Sequence, residues 1–232
     1  VTQDFAVLEF VHTVGGAWML AGFFVLGISA WHLARGSHVE VFRRSFRAGA
    51  TWALASSVLV MFLGHLNAEI LATSQPVKLA AMESLWETSE DVPMNLVAWP
   101  DEKGERNVVQ ALPIPGLMSF LVHYNPHGEV EGLKAVPRED RPPVLPVFLS
   151  FRAMVGLGIL LFWIAVWAFW VRRDPAPRRR LLGILPWMIP VPYVVNLLGW
   201  TVAEVGRQPW IVHGLMRTEQ GVSRLAVSQV WG

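Results

Sequence analysis

The sequence predicts an all-α integral membrane protein, a helical bundle of about four transmembrane helices with one long extracytoplasmic loop. Of its 232 residues, 53% are hydrophobic and only 16% are charged, which is too apolar for an ordinary soluble domain. Four segments are largely apolar over about twenty residues or more, the length that crosses a bilayer as a helix. Several of the 12 tryptophans lie near the ends of these segments, as expected at a membrane–water interface.

The four apolar segments divide the chain into three regions. Region 1–70 holds the first two predicted spans, and region 144–232 holds the other two, followed by a short polar segment on the outer side. Between them, region 71–143 is polar, rich in proline and mixed in charge, and we expect it to form the long loop. The predicted spans are 5–33, 48–70, 144–171 and 181–205.

The charges of the connections predict the orientation of the bundle. The two short connections are rich in arginine, and short basic connections stay on the cytoplasmic side of a membrane. The long loop, in which acidic residues outnumber basic ones, then lies outside the cytoplasm. The arginines are Arg35, Arg43, Arg44 and Arg47 in the first connection and Arg172, Arg173, Arg178, Arg179 and Arg180 in the second.

Several classes of protein are excluded by what the sequence lacks. The absence of cysteine excludes disulfides, thiolate metal sites, iron–sulfur clusters and a c-type haem attachment. There is no glycine-rich phosphate loop, no Ser-His-Asp arrangement and no basic-aromatic stripe, so no nucleic-acid partner is expected. The first residues, VTQDFAVLEF, include neither an initiator methionine nor the basic region of a signal peptide, and we expect the chain to be a fragment.

Three potential metal ligands gather in the outer half of the predicted bundle. His12 and Met154 each lie about ten residues inside the outer end of a span, or about 15 Å below the surface, and Glu204 lies at an outer end. A histidine within the membrane is costly unless it is paired or ligated, and histidine opposite methionine is one of the axial pairs that hold haem iron. The alternatives are a histidine that hydrogen-bonds a neighbouring helix and a methionine that faces lipid or fills the core.

Residues near these candidates leave further alternatives open. His65, near the outer end of the second span, competes with Met154 as the second ligand of a haem, and spacing does not choose between them. Arg152 is expected either to extend outward to the membrane surface or to pair with a haem propionate. Gly15 and Gly16 leave room either for a flat macrocycle or for a closely packed helix.

Within the long loop, segment 76–88 is predicted to form a short amphipathic helix that carries Lys78 and Glu83. Five positions place these side chains about 140° apart on a helix, so they do not form a simple facing ion pair. They are candidates to flank a ligand head group at the membrane surface. The alternative is a solvated surface helix.

Five ordered blocks of the sequence resemble subunit I of the cytochrome bd-type quinol oxidases. The last block is preceded by Glu204 and by GW at 199–200, and together the blocks span nearly the whole chain. The resemblance implies that 71–143 is the quinol-binding Q-loop of this family, in its short form. The blocks are FVHTV at 10–14, LGISAWHL at 26–33, KLAAMESLWET at 78–88, FRAMVGLG at 151–158 and GRQPW at 206–210.

The resemblance implies roles for the residues that match the family's motifs. His12 and Met154 match the axial ligands of a low-spin haem b, and Arg152 matches the arginine that supports this haem. Lys78 and Glu83 match the loop residues implicated in quinol oxidation. The resemblance therefore favours methionine over a second histidine as the partner ligand.

A second group of residues matches the surroundings of a high-spin haem b. Glu204 matches the carboxylate that lies beside this haem and ligates it. Arg207, Gln208 and Trp210 match the motif that shapes the outer boundary of the haem region, and Trp200 lies close by in sequence.

The resemblance implies a quinol:oxygen oxidoreductase of aerobic respiration in the bacterial cytoplasmic (inner) membrane, with quinol as its substrate. Haem d or a third haem b would complete the oxygen-reducing site. The expected partners are a subunit II, a small accessory subunit, membrane lipid and the family's missing helices: four before Val1 and at least one after Gly232. We do not expect this piece alone to reduce oxygen. The alternatives are a non-oxidase cytochrome b anchor that holds haem between His12 and His65, and a haem-free transporter with a polar pathway.

Overall fold

A computed structural model describes residues 4–175 and 178–221 of the chain. Three of its helices are long and apolar enough to cross a membrane: α1 (Asp4–Ala34), α2 (Val39–Ser74) and α5 (Val144–Trp170). The predicted first and third spans agree closely with α1 and α5. The second helix begins well before position 48, so the arginines of the first connection lie mostly on its early turns. The predicted all-α membrane bundle is confirmed.

The fourth span is interrupted. It consists of α6 (Arg179–Ile184), a 3₁₀ turn (Leu185–Met188) and α7 (Val191–Val205), with a bend of 40° at the break. Prolines at 186, 190 and 192 account for the interruption, because proline has no amide hydrogen and clashes with the preceding turn of a helix. A single straight helix over 181–205 was expected, and the structure has a bent pair instead.

Glycines let α1 and α2 pack closely along their length. A β-carbon on Gly22 would lie 2.8 Å from the Cα of Ala53, and one on Gly49 would lie 3.0 Å from the backbone nitrogen of Leu26. Small residues that let two backbones approach are typical of helix pairs in membranes. The main core lies between these helices, α5 and the fourth span, and its fully buried side chains include Phe23, Leu26, Phe46, Leu161 and Leu185.

The long loop is a folded layer on one end of the bundle. It contains α3 (Pro76–Glu83), a hairpin of β1 (Met94–Asp101) and β2 (Arg106–Ile114), and α4 (Leu117–His123). The strands are antiparallel, with Trp99 opposite Val109. A second core joins the loop to α5 and α7, and its members include Leu79, Trp86, Met118, Leu133, Val147 and Val202. We call this end of the bundle the loop end and the opposite one the arginine end.

The predicted loop helix is shorter and more buried than the sequence suggested. It ends at Glu83 rather than at position 88, and every residue from Lys78 to Glu83 is buried. A solvated surface helix is therefore the wrong alternative. After α7 the chain forms a small hairpin of β3 (Trp210–Val212) and β4 (Met216–Arg217) at the loop end. The remainder of the predicted outer segment, 222–232, lies outside the described residues.

Candidate functional site

His12 lies on α1, half-buried against α2. Its Cε1 atom would be only 3.3 Å from a β-carbon on Gly64, so the imidazole occupies the space that this glycine leaves open. Within the described residues, the Nδ1 atom of His12 is buried and makes no hydrogen bond of normal geometry, while the imidazole has a weaker contact with the backbone of Val60 on α2. A buried polar atom without a partner costs free energy, and such atoms in native proteins are often completed by a ligand or an ion.

Met154 lies on α5 and is half-buried at the junction with α7. Its sulfur atom would be 3.1 Å from a β-carbon on Gly199, so the thioether lies directly against the backbone of α7. The side chain is therefore held at a helix interface. The alternative of a methionine that only faces lipid does not describe this position, whereas that of a methionine that packs in the core does.

Helix α7 gives the relative depth of the two predicted ligands. The side-chain amide of Asn196 donates a hydrogen bond to the backbone oxygen of Gly16 at 3.5 Å, whereas Gly199, one turn later, faces Met154. Because α1 and α7 run antiparallel, the step from Gly16 back to His12 corresponds to about one turn toward the C-terminus of α7. His12 and Met154 therefore lie at nearly the same depth in the loop half of the bundle.

The two glycines after His12 serve close helix packing. A β-carbon on Gly15 would lie 3.0 Å from Cγ2 of Val60 on α2, and one on Gly16 would lie 2.5 Å from Oδ1 of Asn196 on α7. Of the two predicted uses of these glycines, the structure supports the close approach of neighbouring helices.

His65, the competing histidine, is engaged with the loop. Its Nε2 atom lies 3.0 Å from the hydroxyl of Tyr124, which follows α4, and this hydroxyl donates to Glu69 at 3.3 Å. The contact occupies one of the two ring nitrogens of His65 and ties α2 to the loop. It favours a structural role for this histidine.

Glu83, the last residue of α3, forms a buried ion pair with Arg152 of α5. A guanidinium nitrogen and a carboxylate oxygen lie 2.5 Å apart, and the Glu83 side chain is only 5% exposed. Burial raises the pKa of Glu83 to about 7, and the opposing effect of Arg152 is smaller. The sequence predicted that Arg152 would extend outward or meet a haem propionate; in the structure its guanidinium meets the loop. Its Nε atom is buried and unpaired within the described residues.

Lys78, near the start of α3, reaches the end of α7. Its ammonium group donates to the backbone oxygen of Ala203 at 3.4 Å, and its aliphatic stem lies against Gly206, where a β-carbon would be 3.2 Å from Cε. Burial lowers the pKa of Lys78, an effect that the nearby carboxylates of Glu9 and Glu204 oppose. As predicted, Lys78 and Glu83 do not pair with each other: they join α3 to two different helices.

The GRQPW block begins directly after α7 and forms the turn that leads to β3. Glu204 forms an ion pair with Arg207, and the Gln208 amide donates to the backbone oxygen of Glu204 at 3.3 Å. Trp200 and Glu204 lie four residues apart on one face of α7, Arg207 follows in the turn after the helix, and Trp200 is 64% exposed. Trp210 lies in β3 beneath the guanidinium of Arg217. This face of α7 is open to a cofactor or to a neighbouring helix.

Comparison with known proteins identifies the family. The family model for cytochrome bd terminal oxidase subunit I matches residues 1–232. The chain belongs to this family. Subunit 1 of a cytochrome bd ubiquinol oxidase from Bacillus subtilis is 36% identical over 96% of the chain and 50% of its own length. Subunit 1 of the cytochrome bd-II ubiquinol oxidase of Escherichia coli is 30% identical over 96% of the chain and 56% of its own length.

A solved structure agrees with this result. The bd oxidase from Geobacillus thermodenitrificans superposes with a TM-score of 0.83 at 30% sequence identity, over 97% of the chain and 52% of the solved one. The resemblance noted from the sequence blocks is thus confirmed, and neither a non-oxidase anchor nor a transporter is favoured. The chain spans about half the length of the curated relatives it matches.

Membership of the cytochrome bd subunit I family implies haem, and the described residues fit it. No group of three or more histidine, aspartate or glutamate side chains within 4–175 and 178–221 could hold a metal ion alone. An iron bound here would therefore rely on a porphyrin for most of its ligands. The unpartnered imidazole nitrogen of His12 and the thioether of Met154, at matching depths on two helices, are suitable axial ligands.

Proposed function

We propose that the chain forms the quinol-oxidising and low-spin haem part of a membrane-bound quinol:oxygen oxidoreductase. The observation that carries this proposal is the buried ion pair between Glu83 and Arg152. It joins the loop helix α3 to the turn of α5 that carries Met154. A substrate that docks at α3 would therefore lie beside the helix that supplies a haem ligand.

In this proposal, region 71–143 is the quinol-binding loop and Glu83 is the proton acceptor. A quinol hydroxyl would transfer its proton to a carboxylate oxygen of Glu83 as the quinol is oxidised. A group with a pKa of about 7 is well suited to accept a proton near neutral pH. Arg152 holds the carboxylate in place through its guanidinium. Lys78, with an ammonium that makes one hydrogen bond to Ala203, has further N–H groups to offer a quinol oxygen.

His12 and Met154 are the proposed axial ligands of a low-spin haem b. The bound haem supplies one-electron redox chemistry, and a histidine–methionine ligand pair favours a high potential. Both side chains lie at helix interfaces that fix their position before the cofactor binds. This arrangement supports electron entry from the loop end of the bundle.

Glu204 is the proposed ligand of a high-spin haem b, with Arg207 balancing its charge. Trp200 shares this helix face, and Gln208 and Trp210 bound it at the loop end. The exposure of the face supports its contact with groups outside the chain. The complete oxygen site, with haem d or a third haem b, would need residues from the rest of the oxidase.

The proposed location is the bacterial cytoplasmic membrane, with the loop end outside the cytoplasm. The concentration of arginine at the opposite end supports this orientation. The proposed partners are a second oxidase subunit, a small accessory subunit and the remaining helices of subunit I. In this orientation the protons of quinol are released outside.

The test is a visible spectrum of the complete oxidase in which Met154 is replaced by leucine. We expect Met154→Leu to abolish the low-spin haem b signal, while the replacement His65→Leu retains it. Quinol oxidation should also be lost in Glu83→Gln while electron entry from an artificial donor persists. A low-spin signal that survives Met154→Leu but disappears in His65→Leu would overturn the ligand assignment, and a complex without haem would overturn the function.

A further inference from the structure

Contacts at two glycines show how α7 packs against α5 and α1. At Gly199, a β-carbon would lie 3.1 Å from the sulfur of Met154, closer than ordinary van der Waals contact. At Gly16, a β-carbon would lie 2.5 Å from the side chain of Asn196. The α5–α7 and α1–α7 contacts therefore each depend on a position without a side chain.

These contacts lie on one side of α7. Asn196 and Gly199 are three residues apart, so they are neighbours on the helix surface. One faces Gly16, a turn below His12, and the other faces Met154. This side of α7 therefore fixes α1 and α5 relative to each other at the depth of the two proposed haem ligands.

Other glycines near Met154 have no such neighbour. A β-carbon on Gly156 or on Gly158, both on α5, would meet no atom within 4 Å among the described residues. Steric packing within the described chain therefore explains why position 199 holds a glycine, but it does not explain the glycines at 156 and 158. The pair provides matched controls, because these helical glycines lie two and four residues from the same methionine.

We propose that Gly199 is a positioning residue for the thioether of Met154. The missing side chain sets where the sulfur lies, and hence how well it ligates the low-spin haem iron. The inference rests on the proposed function of Met154 and extends it to a residue on another helix. A methyl group at position 199 would displace the sulfur by a few tenths of an ångström, because it would lie closer to the sulfur than van der Waals contact allows.

The consequence is a change in redox properties. A thioether opposite histidine raises the reduction potential of haem iron, so a weakened bond to sulfur should lower it. Alanine also favours a helix over glycine, so Gly199→Ala should not weaken α7 by itself. A lowered potential in this variant would therefore come from the displaced sulfur.

The experiment compares Gly199→Ala with Gly156→Ala and Gly158→Ala in the complete oxidase. The midpoint potential of the low-spin haem is measured by redox titration, and the near-infrared sulfur-to-iron charge-transfer band by magnetic circular dichroism. Both are expressed per low-spin haem, so reduced accumulation of a variant does not decide the result. We expect a lower potential and a weaker or shifted band in Gly199→Ala, and wild-type values in both controls.

The Met154→Leu variant separates the two possible failures. If it keeps the low-spin signal and the charge-transfer band, the proposed ligand is wrong, and the role of Gly199 is overturned with it. If it loses both while Gly199→Ala keeps the wild-type potential and band, the ligand assignment stands and the positioning role is overturned. Equal changes in Gly199→Ala and the control variants would also overturn it, because the effect would not depend on the contact with sulfur.

Discussion

The carboxylate of Glu83 and the guanidinium of Arg152 lie 2.5 Å apart although 69 residues separate them in the chain. The pair joins the loop to the transmembrane helix α5 and buries both charges between them. Charges removed from water are stable only when each finds its partner. The loop is thus held to the membrane helices at the residue that we propose to accept the quinol proton.

Quinol oxidation should depend on pH through Glu83. Burial raises the pKa of this carboxyl group from its ordinary 4.5 to about 7, and only the ionised form accepts a proton. We therefore expect kcat/KM for quinol to rise with pH with a midpoint near 7 and to level off about one pH unit higher. Glu83→Gln should remove this rise along with most of the activity. If the residual kcat/KM of Glu83→Gln still rose with pH around the same midpoint, the assignment would be contradicted.

The same pKa shift makes a prediction for stability. The folded state binds the Glu83 proton more tightly than the unfolded state between pH 4.5 and about 7. The contribution of this group to the free energy of unfolding should therefore fall as pH rises across that window. The difference in stability between the wild type and Glu83→Gln, measured by thermal unfolding at several pH values, gives the contribution of Glu83. The pH dependence of the two proteins should differ within this window and agree both below and above it.

Removal of Arg152 should leave an uncompensated buried charge. We expect Arg152→Leu to destabilise the protein by about 3–5 kcal/mol at pH values well above 7, where Glu83 is ionised, the usual cost of breaking a buried pair. The double variant Glu83→Gln, Arg152→Leu should recover much of this loss, because no unpaired charge remains. Unfolding in detergent, measured for both single variants and the double variant, gives the coupling energy between the two side chains. Strictly additive losses would mean that the ion pair carries no coupling energy.

Lys78 should act through its ammonium group rather than through its stem. Lys78→Met keeps the aliphatic packing against Gly206 and removes the donor. A hydrogen bond from a charged group contributes about 1.5–3 kcal/mol, so kcat/KM for quinol should fall about tenfold to a hundredfold. Lys134→Met is the matched control, since Lys134 pairs with Glu87 at the surface of the same loop. An equal effect of the two substitutions would argue against a specific role for Lys78.

The α1–α2 interface should not tolerate a methyl group at Gly22. A β-carbon there would lie 2.8 Å from backbone atoms of Ala53, which cannot move without the helix. We expect Gly22→Ala to cost about 1–3 kcal/mol through overpacking. Gly183→Ala, at a helical glycine with nothing within 4 Å, should be neutral or stabilising. Thermal unfolding in detergent measures the change in stability of each variant. Equal changes in Gly22→Ala and Gly183→Ala would contradict the packing argument.

The sequence was most informative where local pattern controls structure. Apolar length alone located α1 and α5, and counting residues placed His12 and Met154 at matching depths. Both inferences depend only on the rise of a helix and the thickness of a bilayer. The three prolines near position 188 also carried a signal for the break in the fourth span, although a straight helix was expected.

The sequence was least informative where partners are distant. Nothing in the local pattern shows that Arg152 meets Glu83 or that Lys78 meets the end of α7, because these contacts depend on how the loop folds back. The strands β1 and β2 were also missed. Each contains a proline, at positions 100 and 113, and proline is a poor indicator of a strand.

The anchoring of α3 has a consequence for biogenesis. Its lysine contacts a backbone oxygen 125 residues further along the chain, and its glutamate contacts a guanidinium 69 residues further along. During synthesis from the N-terminus, this short helix is made before either contact is available. These two contacts of α3 therefore cannot form until the later helices have been inserted. Maturation of the proposed quinol site would then report that membrane insertion of α5 and α7 has succeeded.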